Sequence, residues 1–358
     1  MRKRCLILLV CLLLPWGASA QTRLYTFAED AAPETLRQAD YAVNDQEVVI
    51  SLTFGGDCTL GGETAYASSS RSYASRVAQN GMDWPFQQLQ TLFAADDATI
   101  VNLEGVLSAS REGKVKKKFN FLGDPSLAGV LTAGSVEGVT LANNHTLDYG
   151  QRGYEDTKAA LLDAAVAYVD ETTLMIVEKD GQRVGFTASV FSTGSGIRER
   201  LTRQVALLRD LGCGAVVHLM HAGTEYKARY SARQKGIAQA AIQAGADLVV
   251  GSHPHVVQGA EVYDGVPVVY SLGNLSFGGN GNPRDYDMLL LSVRIHLSGG
   301  EKKKLEWTPG RVSSEKGRNN FQPVLLDGEE ARRVMEKVQK RSDTPLEPYQ
   351  EGLGAVQK

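Results

Sequence analysis

The segment Ala244-Gly245-Ala246-Asp247-Leu248-Val249-Val250-Gly251-Ser252-His253-Pro254-His255 decides the fold class. Its Ala-Gly-Ala closes a helical pattern that begins at Ser231, and residues 248–250 are a short apolar run of the kind that forms a buried strand. Two histidines follow at once. Pro254 between them excludes a helix, so extended chain is expected, with both imidazoles on one face. Helix, buried strand and then ligand-grade side chains is the order in an open α/β sheet, whose ligands bind beyond the carboxyl ends of its strands.

The pattern recurs along the chain. A β-branched strand over 48–54 runs into Gly55-Gly56-Asp57, and one over 98–101 runs into Asn102-Leu103-Glu104-Gly105. Residues 138–142 lead to Asn143-Asn144-His145, 215–219 lead to His221, and 266–272 lead to Gly273-Asn274. Further strands are expected over 182–188, 288–297 and 305–311, and helices over 84–93, 151–165 and 231–244. The whole is an α/β protein.

Of the six histidines, His145, His221, His253 and His255 all stand just past strands, where Asp57 and Glu104 also stand. Imidazole, carboxylate and amide donors without thiolate suit manganese, iron or zinc in a hydrolytic site. They are too many for one four-coordinate ion. Two divalent metal ions sharing a bridging carboxylate would use them all, and such a pair lowers the pKa of a shared water and clamps phosphate-ester oxygens. His218, three before His221, is expected to face the other way into the core, and His296 to be structural. Lys114, Lys116, Lys117 and Lys118 read as a solvated loop, with attraction of an anionic substrate to the cleft mouth as the alternative.

The 358 residues are 43% hydrophobic and 22% charged with a formal net charge of −3, which offers no footprint for nucleic acid or an anionic membrane surface. Residues 1–20 combine a basic start, an apolar run from Cys5 to Leu14 and a small-x-small end. They read as a secretory signal peptide cut after Ala20, leaving a periplasmic or secreted chain with no integral membrane segment. Cys58 and Cys213 then remain, read as buried small apolar residues. Residues 21–46 are expected to be an irregular arm, 47–328 one domain, and 329–358 a polar tail forming a surface helix.

The ordered blocks Gly56-Asp57, Asn102-Leu103-Glu104, Leu141-Ala142-Asn143-Asn144-His145, His221-x-Gly-x-Glu225-Tyr226, Gly251-Ser-His-Pro-His255-Val-Val-Gln258 and Tyr270-Ser-Leu-Gly-Asn274 carry a resemblance. Over roughly residues 47–280 the chain resembles the CapA-type poly-γ-glutamate capsule-biosynthesis proteins, a branch of the calcineurin-like metallophosphoesterases. The resemblance implies a four-layer αββα sandwich with two metals at the strand ends. Asp57 and His255 would hold the first metal, Glu104 would bridge, and Asn144, His221 and His253 would hold the second. His145 would be the general acid or orient the leaving group. Asn102, Glu225, Tyr226 and Asn274 would lie beside the ligands or against the substrate.

The implied activity is hydrolysis or transfer of a phosphoester on a small molecule or polymer intermediate, alongside capsule polymer assembly proteins. A non-catalytic accessory protein of that assembly, with a structural or binding metal site, is the other reading. Two departures from the pattern stand out. The wider superfamily opens with Asp-x-His, whereas Cys58 and Thr59 follow Asp57 here, so Cys58 or water is the expected replacement ligand. Ala222 stands where the family commonly has an aromatic residue.

Overall fold

The computed structural model describes residues 22–37, 48–191, 195–297, 303–346 and 355–357. In chain order, β1 (Thr22–Ala28) and the single turn α1 (Glu34–Arg37) precede β2 (Val49–Thr59), α2 (Tyr73–Asn80), α3 (Gln90–Phe93) and β3 (Ala98–Leu103). Next come the short pair β4 (Val106–Leu107) and β5 (Leu122–Gly123), then α4 (Gly129–Ala133), β6 (Gly138–Thr140), α5 (Gly150–Asp163) and β7 (Ala167–Val169). The chain continues through β8 (Thr173–Lys179), β9 (Gln182–Val190), α6 (Ser195–Asp210), β10 (Cys213–His221), α7 (Ala232–Gln243) and β11 (Leu248–Ser252). It ends with β12 (Ala260–Tyr263), β13 (Val266–Val269), β14 (Asn274–Phe277), β15 (Asp287–His296), β16 (Lys303–Arg311), β17 (Val324–Leu325), α8 (Gly328–Arg341) and β18 (Ala355–Gln357).

Two large sheets result. One has the order β1-β8-β9-β10-β11-β13-β12; the other has β17-β16-β15-β2-β3-β6-β7, with β14 on β2 and β18 on β16. Strands β9, β10, β11 and β13 are mutually parallel, as are β14, β2, β3, β6 and β7.

Alternating side chains divide the core into layers. Ile50, Leu52, Phe54 and Ile100 of one sheet meet Val177, Val184, Phe186 and Val217 of the other between the sheets. Phe54 and Phe186 touch there with centroids 6.4 Å apart. On the outer face of β3 and β6, Val101, Leu103 and Val139 pack on Val77, Leu131 and Leu161. Across the molecule, Val216 packs on Val205 and Leu208 of α6, and Val249 on Ile237 and Ala241 of α7. Helix, sheet, sheet, helix: this is the four-layer αββα sandwich.

Helix α7 shows how local chemistry sets a boundary. The Ser231 hydroxyl accepts the Gln234 N–H at 3.3 Å, and the Gln234 side chain accepts the Ser231 N–H at 2.9 Å, a reciprocal capping box. The helix therefore starts where it can deliver β11, and with it His253, to the strand ends.

Several expectations fail. Residues 22–28, expected to be irregular, are the edge strand β1, antiparallel to β8, with Leu24, Tyr25 and Phe27 buried. The expected surface helix of the tail is a core element, because Ala331, Val334, Met335 and Val338 form a buried stripe and the last three join the inter-sheet core. Over 84–93 only Gln90–Phe93 is helical; Phe86, Leu89 and Phe93 are buried through successive turns instead. Strands β7 and β8 and helix α6 were not anticipated. Cys58 and Cys213 are free, buried and in different layers. The expected signal peptide lies outside the described residues, and no helix among those residues is long and apolar enough to cross a membrane.

Candidate metal centre

The parallel strands of both sheets end on the same side of the sandwich, and the predicted residues meet there. Asp57 lies near the end of β2. Gly56 is fixed by close approach: a Cβ there would meet the Gly273 carbonyl oxygen at 1.9 Å, the same oxygen that accepts the Asp57 N–H at 3.0 Å. This contact puts Asn274 in register with Asp57. Asn102 is next to last in β3, with Glu104 just past the strand; His221 is the last residue of β10.

Glu104 is completely buried, and neither of its carboxylate oxygens has a hydrogen-bond partner among the described residues. It belongs to two potential ligand groups at once, Asp57–Glu104–His255 and Glu104–His221–His253, each with ligand atoms within 4.8 Å of one another. Asn144 adds its side-chain oxygen beside the second group, 2.7 Å from His221 Nε2. A buried carboxylate is costly unless paired, hydrogen-bonded or bound to a metal. The donor set here fits a divalent metal.

The electrostatics agree. Burial, then the Asp57 charge, push the Glu104 carboxyl well above its usual range. Burial also opposes charge on Asp57, but hydrogen bonding and the charge of His255 outweigh it and hold that carboxyl low. His255 is pushed up to about 10 against its burial by Glu104 and Asp57, whereas burial and the neighbouring His255 pull His253 down to about 4. Burial likewise depresses His221. Two carboxylates call for positive charge, and unprotonated imidazoles stand ready to bind it.

His253 and His255 converge, with ring centroids 6.0 Å apart, but not by the expected extended geometry. Both have positive φ, 101° and 55°, so the chain turns through Pro254. Left-handed backbone at non-glycine residues is strained, and it concentrates at functional sites. The His253 N–H reaches both Asp57 carboxylate oxygens at 3.3 Å, which ties the turn to β2.

Asn102 Nδ2 donates to Asp57 Oδ1 at 2.8 Å and lies 3.2 Å from His221 Nδ1. Asn274 Oδ1 is 2.9 Å from His255 Nδ1. Tyr226, also at positive φ, donates its N–H to the Pro254 carbonyl at 2.8 Å, and its ring lies 6.1 Å from that of His255. Glu225 is exposed on the cleft wall, and its charge adds to the upward push on the Glu104 carboxyl.

His145 points Nε2 toward Glu104 Oε1 at 3.6 Å, stacks on Phe121 at 4.3 Å, and sets Nδ1 2.7 Å from Asp148 Oδ2. Asp148 also accepts the Phe121 N–H at 2.6 Å and pairs with Lys117, whose ammonium donates to the Asn144 carbonyl at 2.8 Å. Sequence reasoning missed Asp148, Lys117 and two further supports. Asn143 bonds to Asn102 at 3.1 Å, and the Ser252 hydroxyl lies 3.0 Å from His221 Nδ1. An acid three residues after a candidate histidine was the available signal for Asp148. Lys117 departs from the expected solvated run.

Other expectations meet the structure differently. The Cys58 thiol is packed in the outer layer, where burial pushes it up to about 12, and it belongs to neither ligand group. Thr59 occupies the place of the superfamily's extra imidazole and donates to the Glu104 carbonyl at 2.7 Å. His218 is fully buried between Thr187 and Ser189, each 2.9 Å away. A cleft of about 720 Å³ opens beside the ligands, lined by His145 and His255 at one end and by Tyr66, Arg71 and Phe119 elsewhere.

A four-layer sandwich that brings a shared carboxylate, imidazoles and an amide to one end of both sheets defines the calcineurin-like metallophosphoesterase class. Residues 51–278 match the family described as "Bacterial capsule synthesis protein PGA_cap", and the chain belongs to that family. The chain is 28% identical over 276 residues to "Capsule biosynthesis protein CapA" of Bacillus anthracis, a match covering 70% of this chain and 65%, just under two thirds, of that protein. It is 28% identical over 283 residues to "PGA biosynthesis protein CapA" of Bacillus subtilis, covering 73% of this chain and 71% of that one. A "Probable polyglutamine synthesis accessory protein" of Mycobacterium tuberculosis is 26% identical over 295 residues, covering 72% and 77%.

Proposed function

We propose that this chain is an exported, metal-dependent phosphoester hydrolase or transferase serving capsule or poly-γ-glutamate production. The observation that carries the reading is Glu104, a buried carboxylate without a hydrogen-bond partner among the described residues, shared by two ligand groups. Asp57, Glu104 and His255 would hold one divalent ion, and Glu104, Asn144, His221 and His253 the other. Bound there, manganese, iron or zinc would supply Lewis acidity toward phosphate oxygens and a more acidic water.

The chain's own residues orient and protonate. Asn102 and Asn274 fix Asp57 and His255 in place through the bonds described above. Asp148 fixes the His145 ring by its Nδ1, leaving Nε2 free at the cleft to hold or pass a proton at the leaving oxygen. The cleft is far larger than a phosphate group, so it suits a substrate with a sizeable remainder, such as a phosphorylated polymer intermediate. Capsule production comes from the names of the relatives.

The test is elemental analysis of the purified chain together with turnover of a chromogenic phosphodiester. About two metals per chain are expected, with turnover that vanishes in Glu104→Ala; His145→Ala should lose rate and keep its metals. A Glu104→Ala variant with full turnover would refute the bridging role. Bound metal without turnover on phosphoesters would favour the accessory role that the mycobacterial relative's name carries.

A further inference from the structure

Seven large apolar side chains are exposed among the described residues: Tyr66, Met82, Val115, Phe119, Leu147, Val262 and Leu325. Scattered singly, such residues need no account. Here two line the cleft and two more lie on the segments that carry Phe119 and His145. Tyr66 and Phe119 line the cleft, and Val115 is held against the turn that bears Leu147, its N–H donating to the Asp148 carbonyl at 2.9 Å.

The loop carrying two of them reads Arg111-Glu112-Gly113-Lys114-Val115-Lys116-Lys117-Lys118-Phe119, and every residue in it is exposed. Lys117 is committed to Asp148 and Asn144. Lys114, Lys116 and Lys118 have no carboxylate partner among the described residues, and the Lys118 ammonium lies 4.9 Å from the Phe119 ring. Glu112 is the loop's one acid, 3.8 Å from Arg152. Against a chain of net charge −3, this loop is locally cationic.

A merely solvated charge run has no use for exposed Val115 and Phe119. A soluble polyanion would engage the lysines and leave the apolar tips in water. An anionic bilayer surface satisfies both, with ammonium groups at the phosphate level and apolar tips at the acyl boundary. We propose that the loop 111–119, with Leu147 and Tyr66, docks the cleft mouth on an anionic membrane surface. Because the loop is tied to the turn bearing His145, docking and orientation of the cleft are one event. The proposal does not depend on the chain being an enzyme.

Co-sedimentation of the full chain with phosphatidylcholine vesicles, with and without phosphatidylglycerol, tests it. Binding should need the anionic lipid and weaken with salt. Each lysine near such a surface contributes about five-fold, so Lys114→Gln/Lys116→Gln/Lys118→Gln should weaken binding about 100-fold. Val115→Ser/Phe119→Ser should reduce the binding that survives at high salt. All variants carry the same residues 1–20, so binding through that apolar segment cancels, and unchanged melting and unchanged turnover of a small soluble phosphodiester in the lysine variant show an intact protein. Equal binding of anionic vesicles by the triple variant and the wild type would overturn the proposal. So would lysine-dependent capture of soluble polyglutamate without vesicle binding, which would make a polymer the occupant.

Discussion

Glu104→Gln should shift stability in opposite directions with and without metal. The substitution keeps the side chain's shape and removes its charge. In chelator, the wild-type carboxyl is fully buried with both oxygens unpartnered, and its surroundings disfavour ionisation. An unsatisfied buried polar group costs about 1–3 kcal/mol, more when charged. The glutamine amide retains part of that cost, so a net gain of about 1 kcal/mol is expected, or about 2 °C in melting temperature for a large domain. With divalent metal at about a thousand times its Kd, each ion bound only by the folded state adds about 4 kcal/mol to the wild type. Glu104→Gln removes a ligand from both positions and should forfeit most of that. Thermal melts in chelator and in excess manganese or zinc should therefore rank the two proteins in opposite orders. A variant that melts below the wild type in chelator would refute the claim that Glu104 is strained by burial. A wild type indifferent to metal would refute the ligand assignment itself.

Lys117→Ala should lower turnover about 10–100-fold with little change in KM, since it frees Asp148 and the Asn144 carbonyl, and Lys117→Arg should recover part of the loss; steady-state kinetics with a parallel metal titration reads both. Met335→Ala should cost about 2–3 kcal/mol in denaturant unfolding, because the side chain lies in the inter-sheet core; a change within experimental error would return α8 to the surface. Asp287 is buried, which opposes its charge, but hydrogen bonds from Arg333 and Lys337 outweigh burial and hold its carboxyl below the usual range. A depressed folded pKa means the contribution is present above the unfolded value and disappears as pH falls through the folded one. Melting temperature should thus decline below about pH 4, and Asp287→Asn should flatten that decline while lowering stability at neutral pH; a decline of unchanged depth in the variant would count against the ion cluster.

Most of the candidate site was legible because each part of it follows a short apolar run, and sheet architecture sends whatever follows such runs to a common place. That argument needs only local patterns and one topological rule. It could not reach contacts made by closure of distant chain. Residues 22–28 alternate well enough for a strand, but their partner β8 lies about 150 residues on, and nothing local announces it. The polar composition of 329–341 masked a four-residue apolar stripe that is buried because the sheets leave a flank open. Lys117 was hidden for a similar reason. Its role depends on a carbonyl 27 residues away, while its neighbours in the lysine run remain in solvent.

The histidine pair carries a subtler lesson. Convergence of His253 and His255 was anticipated from a two-residue spacing in extended chain, yet the structure achieves it with both residues in left-handed backbone around Pro254. The strain is offset by what the turn reaches: the His253 N–H on Asp57, the Pro254 carbonyl for Tyr226, and Asn274 against His255. Those contacts concentrate on the first of the two proposed metal positions, which has only Asp57, Glu104 and His255, since Thr59 stands where the superfamily supplies another imidazole. The second position has Glu104, Asn144, His221 and His253. Rigid hydrogen bonding around the position with fewer ligands would compensate in orientation for what it lacks in number, because a preorganised donor loses less entropy when it binds.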